Sequence, residues 1–147
     1  MLLGGTVSCG GGQEEGFAIY LADTRELMLS ERHIEAYHSA ENTLELNAAG
    51  IKRWNSYLVY TDIPKLNDTL FSREFIIKIE GKEICRGRFW SYASSASYSG
   101  VVIFDALFPL DAEHNLLWIR SEWASGALDP TISSELVSFF EKHNLLK

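Results

Sequence analysis

The 147-residue chain holds only two cysteines, Cys9 and Cys85, so neither a disulfide framework nor a structural zinc site can be assembled from them. Basic residues are also in short supply: 13 against 20 acids give a net charge of −7. That balance argues against a nucleic-acid surface, because neutralising phosphates takes clustered Lys and Arg. No apolar run approaches the roughly 18 residues that a membrane-spanning helix needs. Nucleophile-elbow, dinucleotide, P-loop and S-x-x-K patterns are all missing. What remains is a chain with 46% apolar and 12% aromatic residues, enough for the core of one ordinary globular domain.

Residues 1–15 stand apart. Met1-Leu2-Leu3-Gly4-Gly5-Thr6-Val7-Ser8 is an apolar, small-residue approach to Cys9, and Gly10-Gly11-Gly12-Gln13-Glu14-Glu15 follows as a polar tether. The arrangement looks like the end of a lipoprotein signal peptide, in which the Cys after a small residue is lipidated and becomes the new terminus. Thr6 stands where such motifs favour Leu, and no basic region precedes the apolar stretch. A start upstream of Met1, or a simple Gly-rich tail, are the other readings of the segment.

Residues 16–147 form one α+β domain by pattern. The expected architecture is an antiparallel sheet of about five to seven strands with two or three helices packed on one face. Phe17–Leu21 and Glu26–Leu29 are expected to form a hairpin across Asp23-Thr24-Arg25. Ser30 is a good N-cap, and Ile34 with Tyr37 at i, i+3 predicts a brief helix there. Thr43–Leu46 is a strand candidate. Asn47 then caps a helix from Ala48 to about Leu58, with Ile51, Trp54 and Leu58 on its apolar face. Residues 59–72 form a loop. Arg73 to Trp90 is a strand pair broken at Glu80-Gly81-Lys82-Glu83. With Glu80 and Gly81 central, Lys78 faces Glu83 and Ile77 faces Ile84. Val101–Phe104 and Leu116–Arg120 are further strands, and Asp129-Pro130 opens a terminal helix with Ile132, Leu136 and Phe140 in one stripe.

Chemistry-bearing residues are sparse. His33 and His38 are five apart, the wrong spacing for a helical metal pair, so no metal or other cofactor is expected. Asp111 and His114 suggest a turn with a surface His. Cys85 suits a small buried hydrophobe. The basic middle of the chain, including Lys52, Arg53, Lys78, Lys82, Arg86 and Arg88, reads as a solvated face with intramolecular pairing. The unusual segment is Ser91 to Ser99, with five Ser, two Tyr and two Ala. Its hydroxyls and amphipathic rings make Tyr92, Ser94, Ser95, Ser97 and Tyr98 the candidate contact residues, against the plainer reading of a polar edge strand or exposed loop.

Residues 17 to about 120 resemble the head subdomain of the first large extracytoplasmic domain of SecD and SecDF, accessory subunits of the protein-export machinery. The likeness is carried by Leu27-Met28-Leu29-Ser30 leading to Ile34, by Leu44-Glu45-Leu46-Asn47-Ala48-Ala49-Gly50-Ile51, by Phe75 to Ile84, and by the Ser-rich segment ending at Gly100. The resemblance implies an α+β fold outside the membrane that contacts protein chains rather than performing covalent catalysis. The export motor's membrane helices and intramembrane carboxylates have no counterpart in these residues, so a stand-alone relative of the head is expected. The resulting expectation is a non-enzymatic, lipid-anchored domain on the extracytoplasmic face of the cell membrane, meeting a protein or peptide partner in the envelope. The alternatives are a small hydrolase using Ser94 or Ser95 with His114, and a purely structural envelope protein.

Overall fold

The computed structural model describes residues 16–58, 70–92, 94, 98–104, 106–121 and 127–147. Cys9 with the rest of the expected lipidation segment, loop residues 59–69, and the candidate contacts Ser95 and Ser97 lie outside the described residues. The elements run β1 (Phe17–Leu21), β2 (Leu27–Ser30), a 3-10 turn (Glu31–His33), β3 (Ile34–His38), β4 (Thr43–Leu46), α1 (Ala48–Asn55), β5 (Glu74–Ile79), β6 (Lys82–Trp90), β7 (Val101–Phe104), β8 (Leu116–Arg120) and α2 (Pro130–Lys142). The fold is α+β with one mostly antiparallel sheet. Its eight strands, in the order β2-β1-β5-β6-β7-β8-β4-β3, exceed the five to seven expected.

The additional strand is β3, where a helix was expected. The backbone N–H of Ser30 donates to Nδ1 of His33 at 2.9 Å, so the capping signal produces a single 3-10 turn. Ile34 and Tyr37 then pair with Leu46 and Leu44 of β4. A bulge between Ile34 and Ala36 lets Ile34, Ala36 and Tyr37 all be buried, so that Ile34 and Tyr37 share a face as they would at i, i+3 in a helix. The second correction concerns β6 and β7, which run parallel, with Gly87 opposite Val101 and Trp90 opposite Phe104. The connection from β6 to β7 is therefore a crossover rather than a hairpin.

The β5–β6 hairpin turns on Glu80 and Gly81, both at positive φ (52° and 81°), and sets Lys78 opposite Glu83 as expected. A bulge then moves Ile77 opposite Cys85 instead of Ile84, which keeps Cys85, Gly87 and Phe89 on the inner face. Burial among those residues pushes the Cys85 thiol up to about 12, consistent with an inert hydrophobe.

A flat sheet of eight strands would separate its edges by about 34 Å, from the ~4.8 Å strand spacing. Yet the edge strands β2 and β3 are joined only by Glu31, Arg32 and His33, a reach of about 14 Å from Ser30 to Ile34. The sheet must therefore curl until its edges nearly meet. Its inner face carries Phe17, Ile19, Leu21, Phe75, Ile77, Phe89, Ile103, Ile119, Leu117 and Leu44, all fully or almost fully buried. Both helices pack against that face. Trp54 of α1 meets the Phe89 ring edge-on at 5.8 Å, and Phe140 of α2 lies 5.1 Å from Phe17 and 5.2 Å from Tyr37. Asn47 caps α1 by accepting the N–H of Gly50, and Asp129 caps α2 by accepting that of Thr131.

Candidate aromatic and arginine surface

Among the described residues no helix lies over the outer face of β6, β7 and β8, yet that face is not polar. Because the strands alternate, Arg88 and Trp90 of β6, Val102 and Phe104 of β7, and Leu116, Trp118 and Arg120 of β8 all point away from the main core. Two tyrosines from the connection between β6 and β7 cover part of it. Tyr98 stacks on Trp90 at 5.5 Å, and Tyr92 lies on Phe104 at 4.4 Å with their planes 9° apart. Trp90, Val102 and Phe104 form a small second core beneath them, with Phe71 packed alongside.

Arg120 ties the exposed part of the surface together. Its guanidinium sits 5.0 Å from the Trp118 ring centroid, 5.3 Å from Phe104 and 5.8 Å from Tyr92, and it donates to the Tyr92 hydroxyl. Arg88 lies over the Tyr98 ring at 5.7 Å and donates to the Ser72 carbonyl at 2.8 Å. The register places Arg88, Val102 and Arg120 side by side across three strands. Among the described residues neither arginine has a carboxylate partner, whereas Arg53, Arg73 and Arg86 each pair with one.

Beyond Trp118 the surface opens into a groove of about 480 Å³ lined by Phe108, Pro109, Leu110, Leu116 and Trp118, with Glu113 and His114 as its polar members. Helix α1 fixes this loop. Trp54 Nε1 donates to the Phe108 carbonyl, and the Asn55 amide both donates to the Leu110 carbonyl and accepts the Leu110 N–H, each at 2.8 Å. Asp111 accepts the N–H groups of Glu113 and His114, and its carboxyl is held below its ordinary value mainly by the Glu113 bond and then by His114. The large apolar residues most exposed among those described are Tyr92 (51%), Phe108 (49%), Leu116 (41%) and Trp118 (37%), all on this surface.

The contact residues expected from sequence divide accordingly. Tyr92 is exposed on the aromatic surface, Tyr98 is partly buried against Trp90, and Ser94 is 8% exposed, bonding through its N–H to the Ser91 carbonyl. Trp118, Arg120, Phe108 and Leu116 were not anticipated. The signal for Leu116, Trp118 and Arg120 is present in Leu116-Leu117-Trp118-Ile119-Arg120: a strand that is large on both faces cannot hide both when helices cover only one. Among the described residues no cluster of His, Cys, Asp and Glu could hold a metal ion, and no helix is long and apolar enough to cross a membrane. No family model matches the chain, and neither a curated protein nor a solved structure is significantly similar to it.

Proposed function

We propose that this chain is a non-enzymatic binding or accessory domain that meets a protein or peptide partner, tethered to the extracytoplasmic face of the membrane through Cys9. The observation that carries the binding reading is the continuous exposed surface of Tyr92, Arg120, Trp118, Leu116 and Phe108 on the uncovered side of the sheet. Aromatic residues and arginine are the side chains over-represented where proteins bind one another tightly. The surface is also stiff, because Tyr92 is stacked on Phe104 and the groove loop is bonded to α1, so little order would be lost on binding. The tether rests on the sequence before residue 16 and on the likeness to the SecD and SecDF head.

The hydrolase alternative draws no support from the described residues. Ser94 is buried, and His114 Nδ1 is 3.1 Å from Asp111 Oδ1 in an exposed turn without a strained nucleophile beside it. Two measurements test the proposal. An array of random-sequence peptides should yield binders whose capture is lost in the Tyr92→Ala/Trp118→Ala double variant, and an array without binders would remove the binding role. Labelling of cells with an alkyne fatty acid should mark the native protein and spare Cys9→Ser. An unlabelled protein recovered with the cytosol would remove the tether.

A further inference from the structure

The aromatic surface also has a charge. In a chain with 20 acids and 13 bases, carboxylates are abundant, and three of its seven arginines, Arg53, Arg73 and Arg86, pair with one. Arg88 and Arg120 instead lie against aromatic rings on one row of the sheet, two strand spacings or about 10 Å apart, without a carboxylate among the described residues. A guanidinium flanked by rings is already partly desolvated and pre-oriented, which strengthens a charge-assisted bond to an incoming carboxylate.

Along β8 the outward residues are Leu116, Trp118 and Arg120, successive steps of about 6.8 Å. That is the repeat of alternate side chains in an extended polypeptide. An extended segment lying along β8 would place one apolar side chain in the groove beside Leu116 and Phe108, a second against Trp118, and a carboxylate at Arg120. It would be held by side chains rather than by strand addition, because β8 is already flanked by β7 and β4. The recessed groove suits an inserted side chain and disfavours a flat bilayer surface as occupant.

We propose that this seam is the docking site for an extended polypeptide segment with apolar, apolar and acidic residues at alternate positions. The inference rests on the binding role proposed above and names the class of partner. The test uses the full chain and a fluorescein-labelled peptide, Ser-Leu-Thr-Phe-Thr-Asp-Ser, against the same peptide with Lys in place of Asp. Anisotropy should show the Asp peptide binding about tenfold more tightly, the scale of one charge-assisted bond. Arg120→Gln should erase the difference while keeping the wild-type circular dichroism and melting temperature, and 500 mM salt should shrink it. Equal binding of the two peptides, or a preference that survives Arg120→Gln, overturns the proposal. So does binding to phosphatidylcholine–phosphatidylglycerol vesicles with none to either peptide. If the random array yields binders without acidic bias, the inference fails and the binding role stands; if it yields none, both fail.

Discussion

Gly87 and Gly81 sit six residues apart around the same hairpin, and their side-chain hydrogens serve different ends. A Cβ on Gly87 would lie 2.1 Å from the Val101 carbonyl oxygen and 2.6 Å from the Phe75 ring, so it would collide with the strand that β6 pairs with in parallel. A Cβ on Gly81 would meet nothing within 4 Å, leaving only the strain of its φ of 81°. Gly87→Ala should therefore cost about 2–3 kcal/mol in urea unfolding, as overpacking does, and Gly81→Ala about 1 kcal/mol. A Gly87→Ala variant as stable as the wild type would show that the two strands have room to part. Charge enters at Asp23, whose carboxyl is held below its ordinary 3.8, first by hydrogen bonding from Arg73 at 3.1 Å. A lowered carboxyl stabilises the fold above its unfolded value and loses that effect as pH falls through its folded value. Asp23 is half exposed, so the effect is small. The gap in urea midpoint between wild type and Asp23→Asn should be present at neutral pH and close as the solution is acidified past 3.8. A gap independent of pH would assign it to something other than the charge.

Elements specified by their own residues were legible in the sequence. Phe17–Leu21 alternates, Asn47 and Asp129 cap the helices they were expected to cap, and Glu80-Gly81 turns the hairpin. Elements specified by distant partners were not. Ser30 and Glu31 carry a genuine local helix signal, but Ile34 and Tyr37 gain more by completing the sheet beside β4, and no neighbouring residue announces that. The same holds for the candidate surface. Tyr92 was visible in the odd composition of its segment, whereas Trp118 and Arg120 join it in one surface only through the stacking of Tyr92 on Phe104 beside them. Edge management is likewise non-local. Arg53 of α1 donates to the carbonyls of Met28 (3.0 Å) and Leu27 (2.8 Å), blunting the open edge of β2 with a side chain from the helix. Arg53→Leu should free those acceptors while keeping much of the packing, and size-exclusion chromatography should show association that grows with protein concentration. A variant that stays monomeric at high concentration would mean that α1 alone shields the strand.

Curling the sheet without joining its edges leaves the outer side of β3 unpaired by a strand, and residues after α2 pair there. The last residues pair with β3 on the side that no strand occupies: Tyr37 donates to the Leu145 carbonyl at 2.8 Å, Lys147 donates to that of Tyr37 at 2.8 Å, and Ser39 donates to that of Lys147 at 3.1 Å. Leu145 and Leu146 also pack against the core that Phe140 and Tyr37 share. The tail thus forms a single parallel bridge to β3 after α2, and the Tyr37 hydroxyl, pushed up to about 12 by burial, is bonded to Asn42, which also accepts from Ser133 of α2. Removing residues 145–147 deletes three backbone bonds and two apolar side chains from that edge, while the aromatic surface lies on β6, β7 and β8, separated from β3 by β4. Amide exchange at Tyr37 and Ser39 should accelerate strongly and the melting temperature should drop by several degrees, the scale of a loss of about 1–2 kcal/mol in a domain of this size. Peptide binding at Trp118 and Arg120 should be unchanged below that melting temperature. If exchange at Tyr37 is unaltered, the tail does not hold the edge; if binding falls in step with exchange, that edge and the surface behave as one cooperative unit, and the sheet transmits the loss of its edge across β4 to β8.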